Sequence, residues 1–406
     1  LMSNHKSQEK TFHKGYIAYI SYIIIVILSI IIVNTTGTAS SVEHNSNKEL
    51  ERDGFLWDKT PQKINEKWSK DGYRKIINTP GSIISVKDDG IARLNTDNGE
   101  ELWSYNRKDA KLCDAENTNG QVLAIFDSGK GCSEYIQLNA ATGEYLNTAE
   151  YATTSHYSED KKEISIVSQQ EDILVMTPHH ARLLRDDLVT KSEFGDQDYS
   201  VNGDDQEHSD CNISDGVIGT DGYAISAKCD NDPTYSIYYM DKDPEESTAE
   251  DMKLTIDTRS PQPVTIPVIS KAMINFVVPG TPNSVYVWQL TKDQAEVSHN
   301  YVNVNEFGYE YQDLPGIGYV WRIGNTINVR HGSEDLSQSE KMDRVLSDPI
   351  EVDQKLLVSQ LNKLVLWDTN NKKKETIQAE GLNGQVFGFS GDTLISFDNG
   401  TIKGYK

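Results

Sequence analysis

From Tyr73 onward the chain is dominated by short apolar runs, each closed by a turn and followed by a second run. Runs of about four to eight apolar residues bounded by Gly, Asn and Asp are strand signals, and they are too short for buried helices. Ser82–Val86, Gln121–Phe126, Asp172–Met176, Gly222–Ala227, Met273–Val278, Thr326–Arg330, Lys355–Ser359 and Asp392–Phe397 head successive units. These runs recur roughly every 30–50 residues, and most have a partner strand close behind, such as IARLN, EYIQLN and LVLWD. Several also have a strand in front, such as EISIVS and GYVWRI. About four strands per unit at such a period predict an all-β fold, a β-propeller. One sheet of this kind cannot bury both its faces, whereas stacked sheets can. Counting units gives eight blades. Seven is the alternative, because Gly318–Asp348 is irregular. The last unit, Gln385–Lys406, has only three strands, so an N-terminal strand is expected to complete it, with Gly54–Trp57 as the candidate. Two β-sandwich domains are the competing arrangement, and they would give irregular strand spacing.

Two segments break the strand pattern. Thr60–Lys70 carries helix signals: Thr60 as N-cap, Pro61 at the first helical position, Ile64 and Trp68 at i,i+4, and Gly72 as the stop. Tyr16–Val33 is a run of 18 uncharged residues, long enough for one transmembrane helix. Lys6, Lys10 and Lys14 precede it and no positive charge follows closely, which places the N-terminus in the cytoplasm and the bulk outside. A cleaved signal peptide is the rival reading, but the apolar run exceeds the usual length of its core. The expected organisation is a cytoplasmic tail (1–15), a transmembrane anchor (16–33), a polar linker (34–52) and an extracytoplasmic propeller domain (53–406) that opens with the short helix.

Composition changes the picture in two ways. A net charge of −23 argues against nucleic-acid binding through phosphate neutralisation and against adhesion of the outer domain to anionic lipid. The four cysteines fall into two local pairs, Cys113 with Cys132 and Cys211 with Cys229, each flanking a predicted strand. In an oxidising compartment this pairing predicts two disulfides, consistent with a membrane-tethered, extracytoplasmic location.

The stretch GIARLNTDNGEELWSY (Gly90–Tyr105) is strand, turn and strand, with Leu94, Asn95, Gly99, Leu102 and Trp103 as its markers. A second copy at Ser133–Asn147 carries Leu138, Asn139, Thr142, Gly143 and Tyr145, and a looser third spans Lys363–Ile377. The unit resembles the quinoprotein-like repeat. In that family the aromatic docks on the neighbouring blade, so the resemblance implies a packing element. Quinone-dependent members also carry adjacent cysteines by the cofactor. This chain has no such pair, so no cofactor, metal or catalytic residue is expected. No nucleophile elbow, zinc helix or phosphate loop is present either. His179 and His180 read as surface turn residues, because neighbours on a strand face opposite ways. Asp241, Asp243 and Glu245 alternate as in calcium loops, but Pro244 interrupts them and the terminal bidentate Glu is missing. Asn34, Asn212 and Asn399 are glycosylation acceptors in a suitable host. The one candidate ligand-contact loop is Asn305–Trp321, where Phe307, Tyr309, Tyr311, Tyr319 and Trp321 crowd together. Aromatic loops on a propeller face suit sugar or lipid contacts.

Taken whole, the chain resembles the membrane-anchored, extracytoplasmic propeller proteins of mycolate-making actinobacteria, of the polar-growth factor type. The resemblance rests on the order of a basic tail, one span, Trp68, TPGSIISV, GIARLNTDNGEELWSYNR, LC, GKGC and LNAATGEY. It implies a non-enzymatic binding or scaffold protein of the cell envelope. The implied partners are a transporter or assembly factor and a glycolipid such as trehalose monomycolate. A quinoprotein-like enzyme and an extracellular sensor are the alternatives.

Overall fold

A computed structural model describes residues 41–50, 60–79, 81–151, 164–196, 208–243, 252–270, 273–278, 283–290, 295–304, 312–314, 317–330 and 338–406. Contacts divide the chain into two units, Leu1–Glu43 and His44–Lys406. The described residues of the second unit are all β. Among the described residues no helix is long and apolar enough to cross a membrane, and the expected anchor, Tyr16–Val33, lies outside them.

Among the described residues the strands form eight sheets that follow one another along the chain. Sheet 1 holds Lys75–Thr79, Ser82–Val86, Gly90–Leu94 and Glu101–Arg107, with Val42–Asn45 as a fifth strand beside Glu101–Arg107, and sheet 2 holds Lys111–Thr118, Gln121–Asp127, Cys132–Asn139 and Tyr145–Glu150. Sheet 3 (Ser165–Gln169, Asp172–Met176, His180–Arg185, Thr190–Gly195) and sheet 4 (Cys211–Ile218, Gly222–Cys229, Tyr235–Asp241, Met252–Ser260) repeat the same antiparallel order. Sheets 5, 6 and 7 begin at Thr265, Gln312 and Ile350. All eight apolar runs read from the sequence are strands, and each falls in a different sheet.

Why these runs are apolar throughout follows from their position. Ser82–Val86, Gly90–Leu94 and Asp172–Met176 are buried at every residue, because neighbouring sheets cover both their faces. The fourth strand, Glu101–Arg107, instead alternates, with Trp103, Tyr105 and Arg107 inward. Packing joins neighbouring sheets rather than forming one central core. Leu174, Phe194, Ile225 and Met240 lie in one cluster between sheets 3 and 4, and Ile76, Ile83, Ile395 and Ile402 lie in another between sheets 8 and 1. Sheets that bury each other face to face in sequence make a β-propeller.

Sheet 8 shows how the chain ends meet. Gln385–Ser390, Thr393–Asp398 and Thr401–Tyr405 come from the C-terminus, and the fourth strand is Glu66–Asp71, paired antiparallel with Thr401–Tyr405. The one-strand deficit read from the sequence is therefore real, and the strand described as filling it is Glu66–Asp71. Gly54–Trp57 lies outside the described residues. The same observation corrects the helix expected at Thr60–Lys70. Lys63–Ile64 adds in parallel to sheet 7, and Glu66–Asp71 is the outer strand of sheet 8. Asn65 and Lys406 exchange two backbone hydrogen bonds of 3.0 and 2.9 Å, standing where a connecting turn would be. Local cap signals favour a helix here, but long-range pairing to the C-terminal strand supplies more hydrogen bonds and partly buries Trp68.

Candidate functional site

The repeated turn resolves first. In sheet 1, Gly99 N–H donates to Asn95 O at 2.7 Å, and the Asn95 side chain accepts from Asp97 N–H at 2.9 Å. In sheet 2 the same bonds run from Gly143 N–H to Asn139 O at 2.8 Å and from Ala141 N–H to the Asn139 side chain at 2.9 Å. Each turn receives a tryptophan from the previous sheet. Trp68 Nε1–H donates to Thr96 O at 2.7 Å, and Trp103 Nε1–H donates to Ala140 O at 3.1 Å. Gly99 and Gly143 lie directly under these indoles, with φ of +73° and +74°, and a Cβ at either would come within 2.7 Å of the ring. Arg93, itself buried, adds a 2.8 Å bond to Ala141 O. The unit is a latch between neighbouring sheets.

The copies differ in what closes the latch. Tyr145, the aromatic of the second copy, does not take the place of Trp103. Trp103 pairs across its sheet with Arg93, and the matching residue in sheet 2 is Asn147, opposite Gln137. Asn147 Nδ2 reaches Asp186 O at 3.5 Å, the same carbonyl position in the turn of sheet 3. Gln338 Nε2 likewise donates to Thr369 O of sheet 7 at 2.6 Å. In the third copy Trp367 sits one strand further in, buried with Leu356 and Val358.

Both expected disulfides, Cys113–Cys132 and Cys211–Cys229, are formed. Because strands alternate in direction, the start of a first strand, the end of a second and the start of a third share one face of the propeller. Cys113 and Cys211 are near the starts of first strands, Cys229 ends a second and Cys132 starts a third, so both bridges lie on that face. Beside Cys229 the face opens into a cleft of about 610 Å³, lined by Pro178, Asn212, Ile213, Lys228, Asp230, Tyr235 and Pro263. A smaller cleft of about 250 Å³ adjoins it, sharing Pro178, Ile213 and Ser214 and reaching Asp215.

Asp215 is the most perturbed acid of this region. Burial pushes its carboxyl up to about 6, against two backbone donors that favour the charge. Ile266 N–H donates to Oδ2 at 2.6 Å and Gly216 N–H to Oδ1 at 2.9 Å. Ile266 belongs to sheet 5, so this carboxylate ties sheet 4 to it, and Ser214 Oγ–H does the same through Val264 O at 3.2 Å. A register shift between Ile213 and Asp215 turns these two side chains toward the neighbour. Sequence reading missed Asp215 because NISDG carries no motif, and its partner is 51 residues away.

The other candidates from the sequence place as follows. His180 is buried, not a surface turn residue. Its Nε2 is 3.3 Å from Glu193 Oε1, which also takes Arg182 Nε at 2.7 Å. Burial would raise Glu193, but the His180 and Arg182 contacts outweigh it and hold the carboxyl at about 2. Asp243 pairs with Lys191 at 2.5 Å, and Lys191 pairs with buried Asp172 at 2.8 Å, so Asp243 serves an ion-pair group between sheets. Asp210, Cys211 and Cys229 lie close enough to suggest a metal group among the described residues, but the two sulfurs are bonded to each other and offer no thiolate. Phe307, Tyr309 and Tyr311 lie outside the described residues. Tyr319 and Trp321 lie on the second strand of sheet 6, in register with Arg330 and Asn328.

No family model matches the sequence, and no curated protein matches it. Solved structures do match in fold. The dihydro-heme d1 dehydrogenase NirN in complex with DHE aligns with a TM-score of 0.51 at 9% identity, over 84% of this chain and 78% of that one. The Dos1 propeller aligns at 0.48 and 12% identity (85% and 94%), and BamB from Moraxella catarrhalis at 0.46 and 11% (84% and 99%). At such identities the likeness shows the fold alone.

Proposed function

We propose that this chain is a non-enzymatic interaction scaffold, an eight-bladed propeller held outside the cytoplasm by its N-terminal apolar segment. One observation carries the reading. The repeated residues and the charged groups described above tie one sheet to the next: Trp68, Trp103 and Arg93 at the turns, Asp215 and the Lys191–Asp243 pair between sheets. A molecule that spends its buried polar chemistry on rigidity presents a fixed surface, and a fixed surface suits partner binding. The two disulfides fit an oxidising compartment. The binding surface is the disulfide face, where the cleft between sheets 3, 4 and 5 offers Tyr235 and two prolines with Asn212, Lys228 and Asp230 at its edges. The finer reading, an envelope transporter as partner and a mycolate glycolipid as ligand, is supported by the sequence resemblance.

Titrating the purified chain with quinone cofactor and calcium tests the scaffold reading. It predicts no dehydrogenase activity, and cofactor-dependent turnover would overturn it in favour of the quinoprotein-like enzyme. Native mass spectrometry of the chain extracted from its envelope tests the ligand. A bound glycolipid mass supports the finer reading, and an adduct-free chain removes it while leaving the protein partner.

A further inference from the structure

The smaller cleft on the disulfide face holds a carboxylate without a counter-ion. Other acids of little exposure meet a cation of the chain itself. Asp114 takes Lys75 at 2.7 Å, Asp172 takes Lys242 at 3.0 Å, Glu193 takes Arg182 at 2.7 Å and Asp348 takes Arg322 at 2.8 Å. Asp215 is held instead by two backbone N–H groups, those of Gly216 and Ile266. Among the described residues no charged side chain acts on it. It is half-buried, and it lines the cleft of about 250 Å³ beside Ser165, Met176, Thr177 and Ser214. A carboxylate drawn away from water with no cation beside it is costly to ionise. Each of its oxygens takes one N–H bond and keeps a lone pair for another donor.

We propose that this smaller cleft receives an arginine side chain of the protein partner, with Asp215 as its counter-ion. This assignment rests on the disulfide face being the binding surface, and it says what that face selects. A guanidinium is planar and offers paired donors, which suit the two remaining lone pairs of a fixed carboxylate. A volume of about 250 Å³ is below that of most small-molecule pockets and suits one side chain. The adjoining cleft of about 610 Å³ takes the residues on either side, against Pro178, Tyr235 and Pro263. A net charge of −23 draws a basic partner toward the chain before any contact forms.

The same carboxylate makes the site sensitive to pH. Protonated Asp215 has no charge to offer, so binding weakens as pH falls through about 6. A bound cation favours the charged form, so binding near that pH releases a proton. Gly216 on its own strand, Val264 and Ile266 on the sheet 5 side, and Ser165 and Thr177 on the sheet 3 side carry no charge. The titratable groups around them are Lys228 and Asp230 in the wider cleft and His179, which follows Pro178 in the turn of sheet 3.

The test titrates the full chain with a capped pentapeptide, a central arginine flanked by phenylalanines, and with its neutral citrulline counterpart, by calorimetry. The arginine peptide should bind about tenfold more tightly than the citrulline peptide at about pH 7.5. That advantage should shrink at about pH 5, vanish in Asp215→Asn and survive in His179→Gln. Equal binding of the two peptides, no binding of either, or an advantage that survives in Asp215→Asn would overturn the proposal. If Asp215→Asn does not fold, the pH series on the unaltered chain decides, and an advantage undiminished at about pH 5 overturns it. A photo-cross-linking side chain at Asn212 separates the arginine site from the binding face itself. An adduct that forms in the native envelope and is lost in Asp215→Asn supports both. An adduct that persists in Asp215→Asn keeps the face and overturns the arginine site, and no adduct from either chain removes both.

Discussion

The turns at Asn95–Gly99 and Asn139–Gly143 and the cleft beside Cys229 are built from opposite materials. The turns repeat, and each places a glycine under an indole from the sheet before it. The cleft occurs where no repeat is legible, and its lining comes from sheets 3, 4 and the approach to sheet 5 with no shared motif. In a fold made of similar units, what recurs serves the contact between units, and what does not recur is free to serve something else.

The largest expected effect tests the first half of that contrast. Trp103→Ala removes a fully buried indole and its bond to Ala140 O, and should cost about 3–5 kcal/mol in denaturant unfolding. Asn212→Ala, at an exposed cleft position, should stay within about 0.5 kcal/mol of the parent. Equal losses would erase the distinction.

Next come the disulfides. Each closes a loop of modest length, with separations of 19 and 18 residues. Replacing either pair with serines should cost about 3 kcal/mol on a chain-entropy estimate. Intact mass after alkylation should show no free thiol in the native exported protein, and four thiols would contradict both bridges.

Gly143→Ala should cost about 2–3 kcal/mol, because it combines a left-handed backbone with a Cβ pressed on Trp103. In a Trp103→Ala background the same substitution should cost only about 1 kcal/mol, since the backbone strain alone remains. A double-mutant cycle reads the difference, and additivity would mean that the glycine does not serve the indole.

The smallest effects concern pH, and the two perturbed acids pull in opposite directions. Glu193 has a folded value of about 2 against 4.5 in the unfolded chain, so the stability it contributes is present above pH 4.5 and is lost as pH falls toward 2. Asp215 has a folded value of about 6 against 3.8, so folding favours its protonated form, and stability declines as pH rises from about 4 to 6. Each swing should be on the order of 1–2 kcal/mol, after allowance for the residual exposure of both groups. Glu193→Gln should flatten the acid limb and Asp215→Asn the decline between pH 4 and 6. Asn95→Ala, at a turn, should move neither.

Much of this molecule was legible before its structure, and the reason is local. A strand buried on both faces must be apolar at every position, so Ser82–Val86 and Asp172–Met176 announce themselves. The missing fourth strand of Gln385–Lys406 was legible as a count. What filled it was not. Glu66–Asp71 is polar at all positions but Trp68, and only its pairing with Thr401–Tyr405 makes it a strand. The latch was half legible. Trp103 read correctly as a docking aromatic, but Tyr145 drew the eye from Asn147 because the turn register, not the residue type, sets which side chain reaches the next sheet. Asp215 was illegible, since its strain arises from burial and from Ile266 in the neighbouring sheet.

The central claim is that the repeated turns hold the propeller while the disulfide face meets its partner. A photo-cross-linking side chain placed at exposed Asn98 in the first turn, and separately at exposed Asn212 on the cleft edge, tests it in the native envelope. A discrete protein adduct from Asn212 and none from Asn98 is the predicted result. An adduct from Asn98 alone would contradict it and return the repeated turn to the status of a binding site.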